Sequence, residues 1–463
     1  MSAPTSLDDR PHTSAPAPVR VRRAPHPLRA ELLRGLPPWA GLGLAVTLGA
    51  YLYNTSETWQ GSWTDTMGML RAGGVMLGGP LALAAGCWQG GRERRRGTDV
   101  LRAASARGPL AQFLVAALPL ACWLTVAYAL AFAGGTLASR PYATPGGFVP
   151  TAFVSTAAAL AACSLIGHVV GALARWRLAA PLLGVAGYGL FGVAATTRNA
   201  LRFLGPVPEG FTSDQLLVWW HPFLTAWWVL ALAAAAALAH TARRRWTALV
   251  PLAAAVVAAT LLLQVGDGMS RPDPRAHRQV CTTDTVPQIC VNGTRARQLP
   301  AVTAAMRPLT DRLKGVRNLP TRFEDLPGRP AADEAELPML YPLGWHLVRG
   351  RITDPEQYRW EAAAGLIDGY DCPVRDIPAE VALVDQAVQR WLGPSHISDI
   401  IRKQHLKSAR ANNDKAALRR LKAEQRAYDH LRTMSPADRH TWLSRYFEDQ
   451  ERCGRTDSEV PQL

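Results

Sequence analysis

Residues 36–266 are dense in Ala, Leu, Val, Gly and Trp, and their apolar positions run in long blocks rather than in stripes. A bilayer core takes about 20 apolar helical residues to cross. Seven blocks come near that length: 38–54, 69–90, 110–136, 149–174, 178–196, 222–240 and 248–266. The first is short. The fourth and fifth follow so closely that they predict a tight helical hairpin. Arg243, Arg244 and Arg245 separate the sixth from the seventh, because three guanidinium groups would be costly inside a bilayer. A large soluble helical core is excluded by 110–136 and 149–174, where too few polar residues interrupt the run. Pro80, Pro119 and Pro181 are expected to kink their helices. Arg71, near one end of the second block, is expected to snorkel toward water.

The pattern changes beyond Gly266. Residues 267–463 have ordinary soluble-domain polarity, which the mean hydropathy of −0.02 for the whole chain conceals. After a polar linker at 269–278 with Pro272 and Pro274, the residues from Gln288 to Val291 read as a short strand. Helical signals then dominate. Asp354, Pro355, Glu356 and Gln357 form a capping box with Pro at the first helical position. Ser435, Pro436, Ala437 and Asp438 repeat it before the apolar face of Trp442, Leu443, Tyr446 and Phe447. Residues 376–393 and 414–433 also read as amphipathic helices. The basic face of Lys415, Arg419, Arg420, Lys422 and Arg426 suits solvent, or contact with an anionic lipid or polymer. At the other end, residues 1–35 form a Pro/Ser-rich tail, expected to be disordered, that closes on Arg20, Arg22, Arg23, Arg29 and Arg34 against Glu31.

Charge orients these blocks. The formal net charge is +15, and many arginines flank apolar segments, which points to membrane topology and away from nucleic acid. The 91–109 loop carries Arg92, Arg94, Arg95, Arg96, Arg102 and Arg107 against Glu93 and Asp99. Arg175 and Arg177, and the triplet at 243–245, fill the other basic loops. The intervening loops, 55–68, 137–148 and 197–221, are poor in net positive charge. Lys/Arg excess marks the cytoplasmic side. The N-terminus is therefore expected inside, and seven crossings deliver residues 267–463 outside. Trp39, Trp59, Trp88, Trp176, Trp219, Trp220 and Trp246 fall near block ends, where headgroups favour amphipathic rings.

Cysteine usage bears on the same question. Cys87, Cys122 and Cys163 lie in apolar blocks as small hydrophobes. Cys281, Cys290, Cys372 and Cys453 lie in the polar part, an even number that suits an oxidising compartment; four free thiols in a cytosolic domain is the other reading. A local Cys281–Cys290 disulfide is expected. Cys372 then pairs with Cys453 by elimination, one of three possible connectivities.

Candidate chemistry within the membrane is sparse. Gly74 and Gly78, Gly86 and Gly90, and Gly167 and Gly171 are spaced for close helix packing. His168 is an intramembrane ionisable group, either a neutral interhelical histidine or a proton- or substrate-handling residue. In the polar part no His-Glu-x-x-His, no Gly-x-Ser-x-Gly and no metal-ligand spacing occurs, so neither catalytic nor metal residues are expected. No Gly-x-x-x-x-Gly-Lys-Ser/Thr loop is present, so ATP-driven work requires a partner.

The basic loop, Arg92-Glu93-Arg94-Arg95-Arg96-Gly97-Thr98-Asp99, with Leu101 in the short helix that follows, resembles the first cytoplasmic loop of ABC-2 type transporter permeases. The resemblance implies a coupling element that docks on a separate ATP-binding cassette subunit, carried here by Arg92, Glu93, Arg94, Gly97, Thr98, Asp99 and Leu101. It implies a homo- or heterodimer of membrane subunits in the lipid bilayer, without a cofactor. The family usually has six spans with both termini inside. A seventh span and an outer domain are extra here, a layout similar to that of actinobacterial permease-like proteins. The expected fold is an α-helical polytopic membrane protein: a tail (1–35), a transmembrane domain of about seven helices (36–266) and a mostly α-helical, disulfide-bonded extracytoplasmic domain (267–463).

Overall fold

The computed structural model describes residues 27–97, 107–143, 147–206, 215–331, 333–340, 347–367 and 379–448. It is the structure of a helical membrane protein. Among the described residues six helices are long and apolar enough to cross a bilayer: Trp63–Gly90, Pro109–Ser139, Ala152–Leu173, Ala179–Thr196, His221–Thr241 and Arg245–Met269. The first is broken at Leu77 into α3 (Trp63–Met76) and α4 (Gly78–Gly90). Next come α6 (Pro109–Ser139), α7 (Ala152–Leu173), α8 (Ala179–Thr196), α9 (His221–Thr241) and, within the last, α10 (Leu249–Val265). They follow α1 (Pro27–Leu33) and α2 (Leu36–Asn54), with the short α5 (Arg92–Arg96) between α4 and α6.

The outermost helices identify the solvent. On α8, Leu182, Val185, Tyr188, Leu190 and Val193 are exposed, as are Leu249, Val250, Val256 and Val257 at α10. Soluble proteins rarely leave so large an apolar surface in water. In a bilayer it faces acyl chains.

Several expectations are corrected. The block at 38–54 is helical as α2, but it does not rank with the six strongly apolar helices; Pro37, Pro38, Tyr51, Tyr53 and its glycines dilute it. The block expected at 69–90 starts six residues earlier, because Ser62 caps α3 through the Asp65 N–H at 3.0 Å. Of the three prolines expected to kink helices, only Pro119 lies in a helix interior. Pro80 and Pro181 sit in the first turns of α4 and α8, where a missing N–H costs nothing. Trp59 is buried, its indole N–H donating to the Leu52 carbonyl at 3.0 Å. Arg71 does not snorkel: it is 4% exposed. Residues 27–33, expected within the disordered tail, form α1, held where the Trp123 indole N–H donates to the Leu32 carbonyl at 2.7 Å.

Leu44, Leu48, Leu70, Leu120, Leu124, Tyr128 and Leu160 fill the centre of the bundle. Its closest approach is between α4 and α7. A Cβ on Gly86 would strike the Ser164 carbonyl, and one on Gly90 the His168 carbonyl. In return, Gly167 faces the Leu83 carbonyl and Gly171 the Cys87 carbonyl. The two Gly-x-x-x-Gly pairs thus pack against each other, backbone to backbone. Gly74 and Gly78 accommodate Thr156, Tyr128 and Leu160 instead.

The polar part builds on a four-stranded sheet of order β3-β4-β5-β6: β3 (Gln279–Cys281), β4 (Gln288–Asn292), β5 (Arg322–Glu324) and β6 (Glu334–Glu336). β3 and β4 are antiparallel, and their opposed Cys281 and Cys290 form a disulfide. The remaining pairings are parallel. Cys372 and Cys453 lie outside the described residues. Helices α11 (Leu299–Leu313), α12 (Pro355–Ile367), α13 (Ala379–Leu392), α14 (His396–Ala411), α15 (Lys415–Thr433) and α16 (Pro436–Glu448) complete the unit. Ile289, Val291, Met306, Leu309, Phe323, Tyr358, Leu392, Leu443 and Tyr446 share one core. Both helix starts are capped, the Gln357 N–H donating to Asp354 at 2.9 Å and the Asp438 N–H to Ser435 at 3.2 Å, while the Gln357 side chain bonds Glu361 and Ser395 and Asp438 accepts from the Ser435 hydroxyl.

At the end of β5, burial pushes the Glu324 carboxyl up to about 7, opposed by the Leu326 N–H it accepts and reinforced by Glu334, Asp325 and Glu336. An unfolded glutamate loses its proton near 4.5. Between these values the unfolded chain binds fewer protons, so stability from this group falls as pH rises from about 4.5 to about 7. Glu324→Gln is expected to flatten the melting temperature over that interval. An unchanged slope would show that Glu324 ionises without penalty.

This unit rests on one end of the bundle. Arg349 donates from its backbone N–H to the Gln60 carbonyl at 2.9 Å and from Nε to the Gln60 side chain at 2.7 Å. Arg297 donates to the Ala143 carbonyl at 3.0 Å. β1 (Gln215–Leu217) pairs with β2 (Ser270–Pro272). The loops expected to be poor in net positive charge therefore share an end with residues 270–448.

Candidate functional site at the basic end of the bundle

The opposite end gathers the arginines. α5 is a single basic turn stopped at Gly97, whose φ of 65° is left-handed and free of strain only for glycine. Each of its first arginines has a separate attachment. Arg92 makes two bonds to Glu31, at 2.9 and 2.7 Å, tying the loop to α1. Arg94 donates to the carbonyls of Ala172, Leu173 and Ala174 at 2.8, 3.2 and 2.9 Å. It thereby caps the C-terminus of α7, where the helix dipole favours a cation. Arg95 lies over the Trp88 ring, 4.3 Å from its centroid, and donates to the Trp88 carbonyl. Arg96 and Gly97 stay exposed. Thr98, Asp99 and Leu101, expected in the docking element, lie outside the described residues.

Between this loop and residues 174–177 lies a cavity of about 240 Å³, lined by Arg94, Arg95, Arg175, Trp176 and Arg177 above Gly91 and Gly171. Among the described residues four guanidinium groups and no carboxylate line it, so it suits an anion. The floor is the α4–α7 crossing.

His168 belongs to that crossing. It is 4% exposed, edge-on to Phe113 with centroids 5.1 Å apart, and its carbonyl abuts Gly90. The histidine packs an interhelical contact rather than lining the basic cavity. Among the described residues no cluster of His, Cys, Asp and Glu is suited to a metal.

Sequence reasoning missed the attachments. Glu31 and Arg92 are 61 residues apart, and no local pattern joins them. Reversing either charge is expected to lower stability by about 1 kcal/mol, given that both are partly exposed. The exchanged pair, Glu31→Arg with Arg92→Glu, is expected to restore most of it. Equal melting of the single and double variants would mean that the pair contributes nothing.

No family model matches the chain, and neither a curated protein nor a solved structure was found to be similar to it.

Proposed function

We propose that this chain is the membrane-spanning subunit of an ABC-type transporter, an exporter driven by a separate ATPase that docks on the 91–109 loop. The observation that carries the reading is the attachment of that loop. Arg92 joins it to α1 and Arg94 to the end of α7, while α5 continues from α4 after Gly91. Force applied to the exposed residues around Arg96 is transmitted to α4 and α7, which are locked together by their glycines. A loop that only set topology would need its charges but not these attachments.

The same reading makes the basic end cytoplasmic, since Lys/Arg excess stays inside. α2 then counts as a seventh crossing, and residues 270–448 stand outside, where the Cys281–Cys290 disulfide is stable. The subunit works as a dimer, with itself or with a second membrane subunit. Purification from native membranes is expected to retrieve an ATP-binding cassette subunit. Glu93→Lys and Thr98→Asp are each expected to reduce that recovery several-fold while leaving the chain folded. Recovery of no ATPase, or full recovery with both variants, refutes the docking loop.

A second reading has its own support. A groove of about 330 Å³ in the polar part, between α12, α13, α14 and α15, is lined by Trp360, Ile401, Arg402 and Glu424 among others. That suits a membrane scaffold or sensor that binds a ligand through this unit. ATP-dependent transport by reconstituted vesicles would argue against it.

A further inference from the structure

Arg71 is the one arginine of α3, and the bundle encloses it. It lies eight residues beyond the start of the helix, roughly 12 Å below the end that carries the polar unit. Its Nε and Nη2 are fully buried without a hydrogen-bond partner. Among the described residues it makes no ion pair. Asp65, the acid on the same helix, is occupied with Ser62, and a spacing of six puts it on another face. An unpaired cation at this depth is among the most expensive groups a helical bundle can hold.

Its surroundings come from three other helices. Tyr128 of α6 and His221 at the start of α9 are close enough to interact electrostatically with the guanidinium. Thr156 of α7 meets Tyr128 across Gly74, one turn along α3. All three are buried, and the Tyr128 hydroxyl, Thr156 hydroxyl and His221 Nδ1 also have no well-formed hydrogen bond. The two hydroxyls approach each other without reaching good geometry. Each of these four groups can donate a hydrogen bond, and none carries negative charge. A set of buried donors around a fixed cation is complementary to an oxyanion, whose several acceptor oxygens satisfy the guanidinium fork and the hydroxyls together.

We infer that Arg71, with Tyr128, Thr156 and His221, forms an intramembrane site for a phosphate-type oxyanion. The anion enters either as a phospholipid headgroup or free from solution. It supplies a counter-charge that no described residue of the bundle provides. The inference does not depend on transport or on an ATPase partner.

The test uses the full chain purified in a neutral detergent, with its thermal unfolding followed while inorganic phosphate or phosphatidylglycerol is added. Diacylglycerol and matched chloride serve as controls. The wild type is expected to unfold at higher temperature with at least one phosphate-bearing probe and with neither control. Response to phosphatidylglycerol alone identifies the headgroup as the source; response to inorganic phosphate identifies a free anion. Arg71→Gln is expected to weaken the half-saturating concentration at least tenfold and, freed of a buried charge, to melt no lower than the wild type without probe. Tyr128→Phe keeps the packing and is expected to lose part of the response. If neither probe shifts the wild type, or Arg71→Gln responds as the wild type does, the site does not exist.

Discussion

Gly171→Ala is expected to destabilise the bundle by about 3 kcal/mol, at the upper end of what overpacking a core costs, and Gly171→Leu to abolish the folded protein. The added Cβ would sit closer than 3.0 Å to the carbonyl oxygen, carbonyl carbon and Cα of Cys87. A flexible side chain could turn away, but backbone cannot. Relief therefore requires α4 and α7 to separate, which also strips the contacts at Gly86, Gly90 and Gly167. Dispersion between closely fitted surfaces drives helix association in lipid, where no hydrophobic gain compensates for a gap. Size-exclusion chromatography in detergent reads the outcome as loss of the monodisperse peak. Gly43, Gly134 and Gly189 have no atom within 4 Å of an added Cβ, so alanine at these positions is expected to leave the peak intact. Equal tolerance at Gly171 and Gly43 would mean that the crossing is not close-packed.

The second large effect concerns the polar unit. Arg295 and Asp325 form an ion pair in which both side chains are at least nine-tenths buried. Arg295 follows β4 and Asp325 follows β5, so the pair joins neighbouring strands beneath Tyr358. Asp325→Ala is expected to cost about 3–5 kcal/mol, because it removes the carboxylate that pairs with a buried guanidinium. Replacing both partners with apolar residues, Arg295→Met with Asp325→Leu, removes the two desolvation penalties together. The double variant is expected to recover much of the loss, although it forfeits orientation specific to the pair. Melting of the full chain distinguishes these cases. A double variant as unstable as Asp325→Ala would mean that the arginine's other contacts, and not its charge, dominate.

The membrane-spanning part was largely legible because its signal is length. Apolar blocks such as 110–136 and 149–174 admit few alternatives, and the ends of their helices, Pro109–Ser139 and Ala152–Leu173, lie within three residues of the block ends. The start of α3 was not legible. Trp63, Thr64, Asp65 and Thr66 look like loop until Ser62 is seen as their cap. The glycine pairs were visible as spacings, yet which pair meets which is set by tertiary packing. In the polar part the capping signals located α12 and α16, whereas of the sheet only β4 was anticipated, as the strand expected from Gln288 to Val291. Strands of three residues such as Arg322–Glu324 are too short for an alternation to register. α11 was missed although Val302, Ala305, Met306, Leu309 and Leu313 follow helical spacing and are all buried. Pro308 within it reads as a breaker in one dimension. The attachments of the basic loop and the surroundings of Arg71 join residues from distant helices, and no local pattern encodes them.

The proposed topology puts the two ends of the bundle on opposite faces of a membrane. Arg96 is exposed at the basic end and Arg420 on α15 of the polar unit. In intact cells, with Cys372 and Cys453 replaced by serine, a membrane-impermeant thiol reagent is expected to label Arg420→Cys at once. Arg96→Cys is expected to react only after the membrane is permeabilised. Labelling of both positions, or of neither, in intact cells would contradict the arrangement.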